Sequence, residues 1–272
     1  MSQITIVTSI APKNIDNQKL ATESWAKCGF KVVSMNIKQE IKQLRSQFPH
    51  VTFHEAKRDA RKEAGRPLVY IKDVLAYLQK HGTPVCGIVN SDIHFKAAPQ
   101  IVDFLDKYAK GGVLFASRID VDNLEKTAGR TWWRGMDTFF FDKQLIQHIP
   151  ESKFCLGTPW WDLWFILAAF TKGIDIRYLT TPFAYHVIHQ WNWDDKMAID
   201  YGAHFVEFFG AKASSAQDLL NLAKKDEKQA LGALQQITAS SYNTIFLSKK
   251  TQWLAYDMYS DLLKQIEANQ PS

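Results

Sequence analysis

In Val85-Cys86-Gly87-Ile88-Val89-Asn90-Ser91-Asp92-Ile93-His94 an unbroken apolar run passes directly into a polar segment that carries a carboxylate and an imidazole. A short, wholly apolar run has no outward polar face. It reads as a central strand covered on both sides, the arrangement of a mostly parallel sheet sandwiched between helices. In open α/β sheets ligands bind just past the carboxyl ends of the strands. The residues from Asn90 onward are therefore where chemistry is expected.

Upstream, short β-branched runs alternate with helical patterns, the mark of βαβ units. Ile4-Thr5-Ile6-Val7-Thr8 reads as the first strand. Leu20, Ser24, Trp25 and Cys28 share one face of a helix that Gly29 stops, and Lys31 to Met35 reads as the second strand. Ile37, Ile41 and Leu44 mark a helix ended near Pro49, and Val51-Thr52-Phe53 a third strand. Between Glu55 and Arg66, five basic residues stand among few apolar ones, as a solvated surface or a mobile basic flap. Pro67 can open the next helix, whose stripe of Leu68, Ile71, Val74, Leu75 and Leu78 runs to Gly82.

Downstream, Ile101, Phe104, Leu105 and Tyr108 predict a helix and Val113 to Ser117 a strand. Trp132-Trp133-Arg134-Gly135-Met136-Asp137 leads into strand-like Thr138-Phe139-Phe140-Phe141, and a short helix ends at Ile149-Pro150. Gly157-Thr158-Pro159-Trp160-Trp161-Asp162 precedes an apolar helix stopped by Gly173, after which two strand-like runs lead to Tyr185-His186-Val187-Ile188-His189. After about residue 210 two amphipathic helices are expected. The first is opened by the capping-box-like Ser215-Ala216-Gln217-Asp218, and the second carries Trp253, Tyr256, Tyr259, Leu263 and Ile266. The expected organisation is a main domain over residues 1–210 and a helical appendage over 211–272 packed on it.

The chain of 272 residues is 46% hydrophobic and 22% charged, which excludes disordered, collagen-like and coiled-coil classes. Three widely spaced cysteines, Cys28, Cys86 and Cys155, support neither a disulfide framework nor a CxxC zinc site, and read as buried thiols of a reducing compartment. The longest apolar stretch, Leu163 to Phe170, is far short of the ~20 residues of a membrane span, and the first residues carry no basic leader. A cytoplasmic protein is expected. A net charge of +5 falls below a nucleic-acid-binding signature but suits anionic small molecules or peripheral contact with the inner face of a membrane.

Asp92, just past a buried strand, is placed to hold a hard divalent cation on a diphosphate, or to form a turn or helix cap. His94 points the same way if the chain stays extended, or is a partly exposed loop histidine. His186 and His189 are imidazoles suited to manganese or zinc, or buried and hydrogen-bonded. Asp137 and Asp162 stand among apolar and aromatic residues, an unfavourable place unless they are paired, capping or functional. Desolvation there would raise a carboxyl pKa toward the range of a general base. Trp132, Trp133, Trp160, Trp161, Trp191 and Trp193 are core, or platforms on which sugar rings stack. No GxGxxG, P-loop, GxSxG or kinase signature is present, which counts against dehydrogenase, NTPase, esterase and kinase.

The order of these parts resembles the GT-A fold of nucleotide-sugar glycosyltransferases, in the nucleotide-diphospho-sugar transferase superfamily. Three places carry the resemblance: Ile4 to Ile10 with the βα units that follow, Val89 to His94 at the position of the family's DXD motif, and Gly157 to Asp162 with Gly135-Met136-Asp137 upstream. It implies a Rossmann-like mixed, mostly parallel sheet flanked by helices. The implied activity moves a sugar from a nucleoside diphosphate sugar to an acceptor hydroxyl, in glycan or polysaccharide synthesis, with Mn²⁺ or Mg²⁺. It further implies Asp92 and His189 as metal ligands, with His94 and His186 as further candidates, Asp162 as base and Asp137 as a sugar contact. Thr8, Ser9, Ile10 and Asn36 fall where the family grips base and ribose, with Asn90 and Ser91 beside them. Arg66 and Arg118 fall near the diphosphate, and Trp160 and Trp161 where a sugar would stack. The sequence departs from the family at Asn90, which stands where the first Asp of DXD is expected and leaves one carboxylate. Two rivals remain: a GT-A-like domain that binds a sugar nucleotide or glycan without catalysis, and a sugar nucleotidyltransferase. The glycine-rich, Arg-bearing signature of the latter is missing at Ala11-Pro12-Lys13.

Overall fold

The computed structural model describes residues 3–125, 128–189, 193–209 and 214–258, without the side chains of 214 and 215. Trp191, together with Tyr259, Leu263 and Ile266 of the expected last helix, lies outside the described residues.

The apolar run is β4 (Val85–Val89), buried at every position. It sits inside an eight-stranded sheet between β1 (Thr5–Thr8) and β9 (Thr138–Asp142). Beyond β1 lie β2 (Lys31–Asn36) and β3 (Thr52–Glu55), and β4-β1-β2-β3 are parallel throughout. Beyond β9 lie β6 (Gly112–Ala116), β10 (Asp175–Leu179) and β12 (Thr251–Leu254). β9 alone runs antiparallel, to β4 on one side and β6 on the other. A second sheet orders β5 (Ile93–Phe95), β11 (Ala184–Val187), β7 (Arg118–Val121) and β8 (Arg130–Trp132). The protein is thus a mixed α/β fold with a mostly parallel central sheet flanked by helices.

The Phe run of β9 shows how both faces of that sheet are filled. Side chains alternate across a strand, so Phe139 and Phe141 enter one core cluster and Phe140 the other, each at most 1% exposed. Helices cover both faces: α1 (Ile15–Lys27), α2 (Lys38–Leu44), the single turn α3 (Arg61–Ala64), α4 (Ile71–His81), α5 (Ile101–Ala109) and α6 (Trp161–Thr171). They are followed by α7 (Asp195–Phe209), α8 (Ser214–Lys225) and α9 (Glu227–Phe246). Gly87, midway along β4, leaves no room for a side chain: a Cβ there would stand 3.0 Å from the Phe140 ring and 3.1 Å from the Phe139 carbonyl oxygen.

Several expectations need correction. Residues 251–254 do not continue a helix. They form the edge strand β12, parallel to β10, with Trp253 packed edge-on against Tyr178 at 5.1 Å between ring centroids. A spacing of three between Trp253 and Tyr256 fits a helix on paper, but the open edge of β10 offers a ladder of backbone hydrogen bonds that decides for a strand. The buried face of α1 is Gln18, Ala21, Thr22 and Trp25, whereas Leu20 is 52% exposed. The stretch from Glu55 to Arg66 contains α3, and Arg58 there pairs with Asp73 at 2.9 Å. α7, unforeseen as a separate helix, bridges the histidine segment and α8. Among the described residues no helix is long and apolar enough to cross a membrane, and the three cysteines are free and buried.

Candidate functional site

The carboxyl ends of β1 and β4, the turn before β9, the start of α6, the segment after β11 and one face of α9 enclose a cavity of about 970 Å³. It lies where the strand that opened the sequence reading delivers its polar continuation.

Asp92, His186 and His189 converge at one point of its wall. His189 Nε2 is 3.0 Å from Asp92 Oδ2 and 3.2 Å from His186 Nε2, and His186 Nε2 is 3.7 Å from Asp92 Oδ2. Adjacent ligands of an ion bound at about 2.1 Å stand roughly 3.0–3.4 Å apart; His189 Nε2 lies at that distance from both other donors, and the 3.7 Å between His186 and Asp92 exceeds it by only a few tenths of an ångström, so the three could hold one divalent cation. The protonation pattern agrees. The ionised Asp120 carboxylate can only accept, so His186 Nδ1, 3.0 Å from Asp120 Oδ1, is the donor there, and the other ring nitrogen, Nε2, faces Asp92 and His189. An outer carboxylate that fixes a histidine tautomer is the usual support of a metal-binding imidazole. Burial pushes the Asp92 carboxyl up, but the His189 hydrogen bond and the charges of His186, His189 and Arg118 outweigh it and hold the group below the usual range.

A chain of charge-assisted contacts ties this centre to the rest of the cavity. Arg118 donates from Nε to Asp120 and from a terminal nitrogen to Asp137, both at 2.8 Å. Asn90 donates its side-chain amide to Asp137 Oδ1 at 2.5 Å, and its backbone N–H to the Asp137 carbonyl at 3.0 Å. Asp137, 6% exposed, is therefore a buried carboxylate satisfied from two sides.

Asp162 lies in the first turn of α6, partly exposed to the cavity. Burial, helped by the negative charge of Asp137, pushes its carboxyl up to about 7, against the backbone N–H groups of Leu163 and Asp162 and the more remote Arg118. The residue that sets the helix start, Trp160, has φ 68°. A left-handed conformation costs a non-glycine residue about 1–2 kcal/mol, and such strain gathers at functional turns. The Trp160 indole N–H donates to the Ala198 carbonyl at 2.9 Å, so α7 holds the turn in place.

At the other end the loop after β1 is clasped from behind. Ser34 accepts from the Ile10 N–H at 2.9 Å, and Asn36 donates to the Ile10 carbonyl and to Glu40, each at 2.8 Å. Gln18 of α1 accepts from the Ala11 N–H at 2.8 Å and donates to the Ala11 and Lys13 carbonyls, while Ser91 donates to Gln18 at 2.7 Å. Thr8, Ser9, Ile10, Lys13, Glu40 and Arg66 line the cavity here. Burial, followed by the nearby charge of Arg66, lowers the Lys13 pKa, and Asp92 opposes that.

Most of the residues singled out in the sequence thus share one cavity. Asn36 does not face it: the side chain is fully buried and holds Ile10 and Glu40. His94 is 3% exposed and stands apart from the three-residue group. It donates to Asn17 at 2.9 Å, and burial drives its pKa down to about 4, so the ring is neutral. Trp161 is 2% exposed, edge-on to Phe139 at 5.3 Å, and forms floor rather than an open stacking face. Arg118 is clamped by two carboxylates. The sequence reading missed Asp120, Gln18, Lys13, Arg134 and the Gln235, Thr238 and Tyr242 face of α9. The spacing i, i+3, i+7 of that last group was the one signal available.

No protein-family model and no curated protein sequence matches the chain. Among solved structures it is similar to TarS of S. aureus, at 13% identity and a TM-score of 0.47, over 79% of this chain and 41% of that one. It therefore spans about two fifths of that chain. It is also similar to residues 1–349 of TarS, at 14% identity and a TM-score of 0.45, over 90% of each chain. A third likeness is to the mannosyltransferase PcManGT from Pyrobaculum calidifontis in complex with GDP-Man and Mn²⁺, at 11% identity and a TM-score of 0.46, over 97% of this chain and 79% of that one.

Proposed function

We propose that the protein is a metal-assisted glycosyltransferase that moves a sugar from a nucleoside diphosphate sugar to an acceptor hydroxyl. The observation that carries the reading is the sharing of one cavity by a three-donor cation centre and by Asp162, a carboxylate whose pKa stands at about 7. A diphosphate leaving group needs positive charge, an attacking hydroxyl needs a proton acceptor, and the two must be fixed relative to each other.

Asp92, His186 and His189 would hold the cation, which when bound neutralises charge on the diphosphate. Two imidazoles and one carboxylate suit a first-row ion such as Mn²⁺ better than Mg²⁺, which prefers oxygen. Lys13 and Arg66 add fixed positive charge at the same end. Thr8, Ser9 and Ile10 receive the nucleoside, on a loop made rigid by Ser34, Asn36 and Gln18. Asp162 takes the proton of the acceptor hydroxyl, whose oxygen forms the bond to the anomeric carbon. The bond from that carbon to the diphosphate oxygen breaks, and its electron pair leaves on the diphosphate. Asp137, oriented by Asn90 and Arg118, keeps the Asp162 pKa high and hydrogen-bonds the sugar.

Assay of Asp162→Asn and wild type with a panel of sugar nucleotides tests the reading. Wild-type transfer or hydrolysis of one sugar nucleotide, lost in the variant while nucleotide still binds, supports it. Saturable binding without turnover in the wild type would reassign the cavity to recognition alone.

A further inference from the structure

Arg134 is a cation of the cavity wall for which the described residues provide no anion. Its Nε is buried without a hydrogen-bond partner. Its guanidinium carbon lies 4.6 Å from the ring centroid of Trp133 and 5.6 Å from that of Tyr242. Two aromatic faces hold the group in one orientation but leave its charge unneutralised. The Tyr242 hydroxyl donates to the Arg134 carbonyl at 3.1 Å, so α9 also fixes the backbone that carries the charge.

The other cavity guanidiniums are placed differently. Arg118 is taken by Asp120 and Asp137. Arg66 acts on Lys13, which also feels Asp92, and so belongs to the end with the cation centre. Arg134 stands instead against Tyr242 of α9, by ring contact and by the Tyr242 hydroxyl, and Tyr242 in turn feels the charges of Asp162 and Asp137 as well as those of Arg134 and Arg118. On that side α9 presents the exposed amide of Gln235, a group of the kind that binds hydroxyls, while the buried Thr238 and Tyr242 donate their hydroxyls to the Leu234 and Arg134 carbonyls.

We propose that Arg134 is the recognition point for an anionic group, a phosphate or a carboxylate, carried by the acceptor sugar. The proposal rests on the reading of the cavity as a sugar-transfer site. A planar, preoriented guanidinium pairs with either anion through two parallel hydrogen bonds. A partly buried charge left unpaired is unfavourable until such a ligand arrives. Lys13, Arg66 and the cation centre already supply positive charge for the donor diphosphate, so the anion at Arg134 is assigned to the acceptor.

Titration calorimetry tests the assignment with nucleoside diphosphate and Mn²⁺ at saturation, so that the diphosphate end is filled. Glucose 6-phosphate, glucuronate and glucose are then compared. At least one anionic sugar is expected to bind about tenfold or more tighter than glucose, and the tighter of the two anions names the chemistry. Arg134→Gln removes the preference, and Arg134→Lys, which keeps charge but not the fork, retains part of it. Equal affinities for all three sugars, no binding by either anion, or a preference that survives Arg134→Gln overturns the assignment. Nucleotide affinity in the same samples is the folding control and separates the two readings. If nucleoside diphosphate binds and the anions show no preference, the Arg134 assignment alone falls; if no nucleoside diphosphate binds, the sugar-transfer reading falls and takes the assignment with it.

Discussion

Asn90 gives its side-chain amide to Asp137 at 2.5 Å, so the position where the sequence reading looked for the first DXD carboxylate carries a hydrogen-bond donor for a carboxylate 47 residues away. A carboxylate at position 90 would face a like charge, whereas an amide satisfies Asp137; Asp92 and the two histidines remain the group that could hold a cation.

Asn90→Asp should therefore destabilise the fold by about 1–3 kcal/mol at pH 8. Two carboxylates at this separation share a proton, which raises one folded pKa above its unfolded value. The stability linked to that proton is full at low pH and lost as pH rises through the raised pKa. Thermal unfolding should show a deficit that is large at pH 8 and narrows toward pH 5. An equal deficit at both would remove the like-charge explanation.

Asp162 has a folded pKa of about 7, above the ~3.9 of an unfolded aspartate. Its linked stability is complete below about pH 4 and lost as pH rises through about 7. Asp162→Asn should raise the unfolding midpoint most at pH 8, by less at pH 5, and leave it near wild type at pH 4, while turnover falls by about 10²–10⁴-fold. The wild-type rate should rise with pH through about 7, as the base loses its proton. A variant with wild-type turnover would end the base assignment.

In the proposed cation centre Asp120 would act chiefly through the proton it fixes on His186 Nδ1. Asp120→Asn should lower Mn²⁺ affinity by about 10–100-fold, and His189→Ala should lower it further. Mn²⁺ titration followed by electron paramagnetic resonance reads both. Unchanged affinity in Asp120→Asn would place His186 outside the ligand set.

Gly87→Ala probes the strand that carries the site. The added methyl would press on the Phe140 ring and the Phe139 carbonyl at 3.0 and 3.1 Å, and neither has space to yield in a sheet covered on both faces. A loss of about 1–3 kcal/mol in urea unfolding is expected; a neutral result would mean that β4 and β9 separate more easily than their packing implies.

The βα units were legible in the sequence because periodicity is coupled there to a clear stop such as Gly29, and the central strand and the helix opened by Trp160-Trp161-Asp162 because each is a continuous apolar run with a clear end, the latter at Gly173. Asp92 stood out as a carboxylate just past a buried strand, His186 and His189 as imidazoles suited to a metal, and Asp162 as a carboxylate in apolar surroundings. What the sequence hid depends on pairing between distant segments. β12 exists because β10 leaves an edge open, and Asp120 matters because β7 lies beside β11 and brings it to His186. His94 looked equivalent to Asp92 by alternation, yet β5 turns it into the core against Asn17. The α9 wall joins the cavity only through the fold, since Tyr242 meets the Arg134 backbone across more than a hundred residues.

The most direct test is the unfolding midpoint of the wild type and of Asp92→Asn against a panel of nucleoside diphosphates, with and without Mn²⁺. Ligand at about a hundred times its dissociation constant adds about 2.7 kcal/mol, which for a chain of this size is a rise of roughly 5–10 °C. The account predicts such a rise for at least one nucleoside diphosphate, dependent on Mn²⁺ and lost in Asp92→Asn. No shift with any nucleoside diphosphate at millimolar concentration, with or without the metal, would contradict it.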